Sequence, residues 1–333
     1  MSQRKFTLYW SNFKRYEDCP QSFLWYRGWG AIDVGGGPGR KKPKPRKDSR
    51  HHAVMGIVIQ SVLEQMYNQE WWKTPAELVG LLEAELERQF KLEVAKNFID
   101  WRMAGSKDEM FRICREGVFG FLKTFKAHRL VGQYARSELD YPAYINKWNP
   151  IGGRIDFLIR RDDDPYKGIT LLDGKNSKHR GKYTDPDQLR FYALCFYLST
   201  KVMPDRIGFL YFRFPHGWLP PEAEWDKDPA GDPVQPEPDS GVEWVEFTKD
   251  DLKGLAQRAV DARKGMDKEK FEATPKPPMC KLCDYESVCK ERQAQIASNR
   301  RTPKNREQLF DGAAGMIEFG IGTEGATGKG KTG

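Results

Sequence analysis

Long apolar runs are missing from this 333-residue chain. No stretch approaches the roughly 20 residues that a membrane-spanning helix needs. The N-terminus has no secretory h-region, so the cytoplasm of a bacterium, or of a host cell if the protein comes from a phage, is the expected home. Walker motifs, helicase signatures and internal repeats are also absent, which leaves the chain without a motor of its own. Cysteine is scarce, six in the whole chain, which is no disulfide framework at this length. Cys114 and Cys195 fall inside apolar helical patterns and read as core thiols. Acidic excess is missing too: the formal charge is +8, which favours a polyanionic partner and says nothing about fold.

What is present centres on two short apolar runs, Gly152-Gly153-Arg154-Ile155-Asp156-Phe157-Leu158-Ile159 and Thr170-Leu171-Leu172-Asp173-Gly174-Lys175. Both read as buried strands, with Asp162-Asp163-Asp164-Pro165 and Gly168 as the turn between them. An Asp in the first strand and an Asp-x-Lys closing the second place two carboxylates and an ammonium together. Two close carboxylates repel, so such a site calls for a cation, and oxygen donors suit Mg²⁺ or Mn²⁺. The pattern alone also fits a solvated strand end. Downstream, Gln188 and Tyr192 stand at one-turn spacing on the following helix and share a face.

The cysteines outside the core are grouped: Cys19-Pro20 near one end, and Cys280-x2-Cys283-x5-Cys289 near the other. Three thiols this close in so cysteine-poor a chain suggest a metal-thiolate site, whether iron–sulfur or structural zinc, although zinc usually shows paired knuckles or a His. Taken in order, Ser11-x4-Tyr16-x2-Cys19-Pro20, Gly153-x2-Asp156, Asp173-x-Lys175, Gln188-x3-Tyr192 and the terminal cysteines resemble the RecB-type branch of the PD-(D/E)xK nucleases. The likeness is to its iron–sulfur members, such as CRISPR-adaptation nucleases and AddB-type helicase-nuclease subunits, and it spans about residues 8 to 292.

That resemblance implies an α/β fold: a small mixed sheet flanked by helices, with a helical N-terminal part and a C-terminus stapled by a cluster. It implies a metal-dependent deoxyribonuclease, an exonuclease on single strands or duplex ends leaving 5′-phosphates, in repair, recombination or CRISPR adaptation. Asp156, Asp173 and the Gly174 carbonyl then hold Mg²⁺ or Mn²⁺, Lys175 orients water, and Gln188 and Tyr192 position Lys175 or the substrate. Cys19, Cys280, Cys283 and Cys289 hold a [4Fe–4S] cluster with a mechanical role. DNA is the expected partner, with a helicase, recombination or CRISPR protein beside it. One departure stands out, because Gly56-x3-Gln60 carries Gln where the family has a metal-facing His. An amide can hydrogen-bond a metal-bound water but cannot accept its proton. A nuclease-like DNA-binding protein with weak turnover is the alternative.

The remaining stretches frame this centre. Residues 1–298 read as one domain and 299–333 as a disordered tail. Ser11 is an apparent helix cap. Residues 35–50, with Arg40, Lys41, Lys42 and Lys44, form a mobile basic loop that is either a solvated linker or an arm gripping phosphates. Residues 51–131 are helical, opening with His51 and His52 as exposed end residues, and two helices are expected over 75–131. The catalytic sheet and helix occupy 134–213, starting near Arg136, and Glu138 is an exposed strand residue or the family's extra acid. Residues 242–247 form a further strand, Thr248 with Asp251 caps a helix, and 277–292 bind the cluster.

Overall fold

The computed structural model describes residues 6–29, 51–128, 130–131, 134–162, 167–177, 184–213, 241–281 and 283–301. The basic segment 35–50 and most of the turn after Asp162 therefore lie outside the described residues. So do residues 214–240 and 302–333.

One mixed sheet organises the molecule, in the order β1 (Leu8–Tyr9), β3 (Pro150–Arg161), β4 (Gly168–Lys175), β5 (Arg206–Tyr211), β6 (Val242–Val245), with β2 (Tyr134–Tyr144) also paired to β3. Helices α3 (His51–Asn68), α4 (Pro75–Lys96) and α6 (Lys107–Ala127) cover one face. They pack Val58, Val62, Phe121 and Phe125 against Phe157, Leu172 and Leu210. Helices α1 (Trp10–Asp18), α7 (Pro186–Thr200) and α8 (Lys249–Asp267) cover the other, with Phe13, Phe191, Cys195 and Leu255 against Ile155, Leu171 and Phe209. Cys114 and Cys195 are fully buried in these two cores, as their apolar neighbours imply. The mixed sheet between helical layers is the architecture expected.

Local chemistry explains several element ends. Thr248 and Asp251 form the reciprocal capping box that starts α8. Asp185 accepts from the Asp187 N–H, and Pro186 sits at the first position of α7. Parallel strands β4 and β5 are joined through α7, since parallel neighbours need a long crossover. Gly168 takes φ +116°, a backbone state suited to glycine, and any Cβ there would strike the Asp205 carboxylate.

Several expectations are corrected. Ser11 caps nothing: α1 begins at Trp10, because Tyr9 is still held in a parallel bridge to Gly152 and the helix starts directly after it. This two-residue β1 is too short for periodicity to show. A short helix, α5 (Trp101–Ala104), capped by Asp100, interrupts the expected pair over 75–131. His51 is buried rather than exposed, its ring 3.9 Å from that of His52. β6 ends at Val245, two residues short of the expected end.

The feature that creates the site is a fork. β3 and β4 pair antiparallel from Arg161↔Gly168 to Phe157↔Leu172 and then separate. β4 continues beside β5, while β3 takes β1 on its freed edge. The pleat of β3 reverses at the fork, since Ile155 enters the α7 core and Phe157, two residues on, enters the α3/α6 core. β2 reverses at the same level, and Glu138, across from Asp156 by register, adopts φ +56°. A non-glycine residue in that region is uncommon and costs energy that the surrounding sheet must offset.

α6 lies close enough to the end of β5 that a Cβ on Gly120 would sit 2.7 Å from the Phe212 carbonyl oxygen. Backbone cannot yield as a flexible side chain can, so Gly120→Ala should lose about 1–3 kcal/mol in urea unfolding, despite alanine's better helix propensity. Gly80→Ala, on a helix with open space around it, should instead gain about 0.5–1 kcal/mol. Equal effects at the two positions would contradict this packing.

Candidate active site

Asp156 lies where the strands part, and its Oδ2 accepts the Gly174 N–H at 2.7 Å across the gap. That bond uses a backbone donor that β3 would have paired had the two strands stayed together. Asp173, 3% exposed, closes the β4 side of the gap. Its Oδ2 is 2.5 Å from Lys175 Nζ, and its Oδ1 accepts from Gln188 Nε2 at 2.9 Å. Gln188 Oε1 accepts from Lys175 at 3.0 Å, and Gln188 Nε2 also donates to the Tyr192 hydroxyl at 3.0 Å. One amide thus fixes the carboxylate, the ammonium and the phenol, which is possible because Gln188 and Tyr192 stand one turn apart on α7.

Burial, the charge of Asp173 and a smaller contribution from Glu138 hold the Asp156 carboxyl well above the usual carboxylate range, while the Gly174 N–H pulls the other way. Burial also raises Asp173, and the Lys175 ammonium offsets part of that rise. Burial and then the Asp173 charge push the Tyr192 phenol up strongly, so it stays protonated. Burial raises Glu138 as well, tempered by the Gln60 amide and Arg154.

Two openings reach the fork. The first is lined by Gly56, Gln60, Glu64 and Glu138 together with Asp156, Gly174 and Asn176. Gln60 faces this opening, its Oε1 2.9 Å from where a Cβ on Gly174 would be, and Phe212 would lie closer still. Only glycine fits at 174 without displacing both. The second opening is lined by Tyr9, Ser11, Asp140, Gln188 and Tyr192. Arg154 borders both, paired with Asp140 at 3.2 Å and Glu138 at 3.6 Å. The structure therefore brings together Asp156, Asp173, Gly174, Lys175, Gln188, Tyr192 and Gln60. Arg40, Lys41, Lys42 and Lys44 lie outside the described residues.

The donors around the fork suit a hard cation. They are carboxylate oxygens, and beside them Asn176 Oδ1 is buried without a hydrogen-bond donor among the described residues while lining the same opening as Asp156. Among the described residues no three His, Cys, Asp or Glu side chains gather around one ion position. Two carboxylates completed by neutral oxygens and water are, however, a normal donor set for Mg²⁺.

A second constellation lies on the α7–α8 side, against α1. Cys19 follows α1 in extended backbone and precedes α2 (Pro20–Tyr26). Cys280 sits in α9 (Pro277–Lys281), and Cys289 just before α10 (Lys290–Arg301). Cys19, Cys280, Cys283 and Cys289 line one cavity, floored by Trp25, and all four are free thiols. Their polar contacts are long and weak, such as Cys283 Sγ to Ser22 Oγ at 3.7 Å. Burial, with Glu291 and Cys19 nearby, pushes the Cys289 thiol up to about 11.

Sequence reasoning missed Arg154, Glu64 and Asn176 at the fork. The signal for Glu64 was its four-residue step from Gln60 on α3. That for Arg154 was its two-residue step from Asp156 on β3. Asn176 follows the strand and carried no periodic signal.

The raised Asp156 carboxyl has a consequence for stability. The unfolded chain releases this proton at the ordinary carboxylate pKa, the folded chain only at higher pH, so the group costs stability progressively as pH rises through that interval. Asp156→Asn keeps an acceptor for the Gly174 N–H and removes the titrating charge. Without added metal it should melt higher than wild type at pH 7, with a stability gain on the order of 1 kcal/mol, and differ little below pH 4. A variant less stable than wild type at pH 7 would contradict the repulsion.

No curated protein matches the chain. A solved structure titled "Crystal structure of SSO0001" resembles it over 71% of this chain and 84% of that one, at 13% identity and a TM-score of 0.31. The family model of the PD-(D/E)XK nuclease superfamily matches residues 10–290, a span that holds the forked carboxylates, the Asp-x-Lys of β4 and all four clustered cysteines. With most of its length matched, the chain belongs to the PD-(D/E)XK nuclease superfamily.

Proposed function

We propose that this chain is a divalent-metal-dependent deoxyribonuclease of the RecB-like type, acting as an exonuclease on single strands or duplex ends, with residues 1–298 as one nuclease domain. The observation that carries this reading is the Asp156/Asp173 pair, buried at the fork with Lys175 held 2.5 Å from Asp173. Asp156, Asp173 and the Gly174 carbonyl would hold the ion, with Asn176 and Gln60 lining the same opening as Asp156. A bound Mg²⁺ or Mn²⁺ supplies Lewis acidity toward the phosphate and makes its water a better nucleophile. Lys175, fixed by Asp173 and the Gln188 carbonyl oxygen, orients the attacking water and balances charge growing on the phosphate. Gln188 acts by positioning, because its amide sets the geometry of Asp173, Lys175 and Tyr192 together. Glu138, held against Arg154, adds negative charge beside Asp156 and strengthens the pull on a cation.

Cys19, Cys280, Cys283 and Cys289 are proposed to hold a [4Fe–4S] cluster that ties α1 and α2 to the C-terminal segment. The support is a shared cavity lined by four free thiols and, among the described residues, no histidine. A cubane takes one thiolate per iron, so the thiols surround a volume rather than a single ion. The setting is cytoplasmic, in recombination, repair or CRISPR adaptation, alongside a helicase or a related partner. Among the described residues no helix is long and apolar enough to cross a membrane.

Three outcomes test this reading. End-labelled DNA should be shortened with Mg²⁺ or Mn²⁺ and left intact with EDTA; intact DNA under all metal conditions would leave only a binding protein. Anaerobically purified protein should be brown, and Cys283→Ser should bleach it and lower its melting temperature, since metal binding at such sites is coupled to folding, whereas Cys195→Ala, in the apolar core, should keep the colour whatever it costs in packing. A colourless wild type would overturn the cluster. Gln60→His should tighten Mn²⁺ binding in calorimetry, because imidazole can ligate directly. An affinity unchanged in a folded variant would mean that Gln60 does not address the ion.

A further inference from the structure

The corner of the sheet beyond the fork carries a set of exposed aromatic rings that the core does not need. Tyr9 is bridged to Gly152 by register, and its ring lies against that glycine, where a Cβ would come within 2.9 Å of Tyr9 Cε1. Tyr9 nevertheless stays 42% exposed. Tyr144, paired with Pro150, is 64% exposed, and Trp148, in the turn between them, is 60% exposed. Single exposed aromatics need no explanation, but three around one strand end form a surface.

The turn holding Trp148 is built rather than loose. Asn146 Oδ1 accepts from the Trp148 N–H at 3.0 Å and from Asn149 Nδ2 at 2.7 Å, and the Asn149 carbonyl accepts the Ile145 N–H at 3.1 Å. The indole is thus presented on fixed backbone, with the Lys147 ammonium 4.8 Å from its ring. This corner is continuous with the site, since Tyr9 and Arg154 line the same opening as Gln188 and Tyr192. Asp156 to Pro150 is six residues of β3, about 20 Å at strand rise. That length takes a few nucleotides of an extended strand.

We propose that this strip, from Arg154 past Tyr9 to Tyr144 and Trp148, is a stacking track for the unpaired part of a single-stranded DNA substrate. The inference rests on the nuclease reading and narrows it to substrates with an unpaired end. Bases stack on the rings, a mode that suits every base because each has a π-face. Asp140 and Glu138 neutralise Arg154 here, so stacking rather than charge dominates the contact. A duplex keeps its bases paired and stacked internally and has none to offer the rings. The track therefore favours a frayed or single-stranded end and feeds it toward the fork.

The test is fluorescence anisotropy of a labelled oligo-dT, and separately of a blunt duplex, with EDTA present so that nothing is cut. Tyr9→Ala and Trp148→Ala should each weaken oligo-dT binding by about five-fold to about a hundred-fold. Duplex binding should change less than about two-fold by the same stacking argument. Phe98→Ala, which removes a 66% exposed ring on the helical lobe, should leave both affinities unchanged. Tyr9 borders α1 and could loosen it, so thermal melts accompany that variant; Trp148 projects from a turn tip, and its removal leaves the fold intact. If wild type cleaves DNA with metal yet Trp148→Ala binds oligo-dT as wild type does, the track is wrong and the nuclease reading stands. Equal losses on duplex and single strand would likewise overturn the track. Failure of wild-type cleavage would instead strike the underlying reading.

Discussion

Two carboxylates forced into one desolvated gap set the terms for everything around them. Asp156 and Asp173 face each other across strands that have stopped pairing, and burial raises both. Such a pair persists only with compensation, and the fold supplies it in pieces: a backbone N–H from Gly174, an ammonium from Lys175, an amide from Gln188. None of these is a full counter-charge for Asp156. The remaining deficit, which exists because the sheet forks where it does, is what a cation would offset in the proposed function.

The fork has structural costs elsewhere. Glu138 takes a positive φ opposite Asp156, the pleats of β2 and β3 reverse together, and β1 is recruited to cover the edge of β3 that β4 has left. Gly152 and Gly153 sit on that edge with opposite duties. A side chain at Gly153 would meet Tyr192 and Cys195 of α7, and one at Gly152 would meet Thr7 and Tyr9. The two glycines let α7 close on one side while β1 closes on the other. Strain at Glu138 and close approach at Gly174 are the kind of local cost that functional sites carry when the surrounding packing over-determines them.

Much of this was legible in the chain. Asp156, Asp173, Lys175, Gln188 and Tyr192 announced themselves because strand alternation and helical one-turn spacing are local properties, readable in windows of a few residues. Thr248 and Asp251 were legible for the same reason. What resisted was non-local. Tyr9 entered the sheet through a two-residue bridge whose partner lies far along the chain. His51 is buried and feels the charge of Asp100 from a later segment, neither of which a local window shows, and the role of Ser11 was pre-empted by the strand before it. Arg154 and Asn176 became relevant only once the fork opened, and strand pairing decides that, not composition.

The proposed nuclease chemistry requires a cation bound between the carboxylates. Calorimetric titration of Mn²⁺ into wild type and Asp173→Ala, with melts showing both folded, addresses it directly. A site in the wild type that is lost in the variant is the predicted result, since removing one carboxylate removes both a ligand and the charge that makes the gap attractive. Equal Mn²⁺ binding by the two proteins would contradict it.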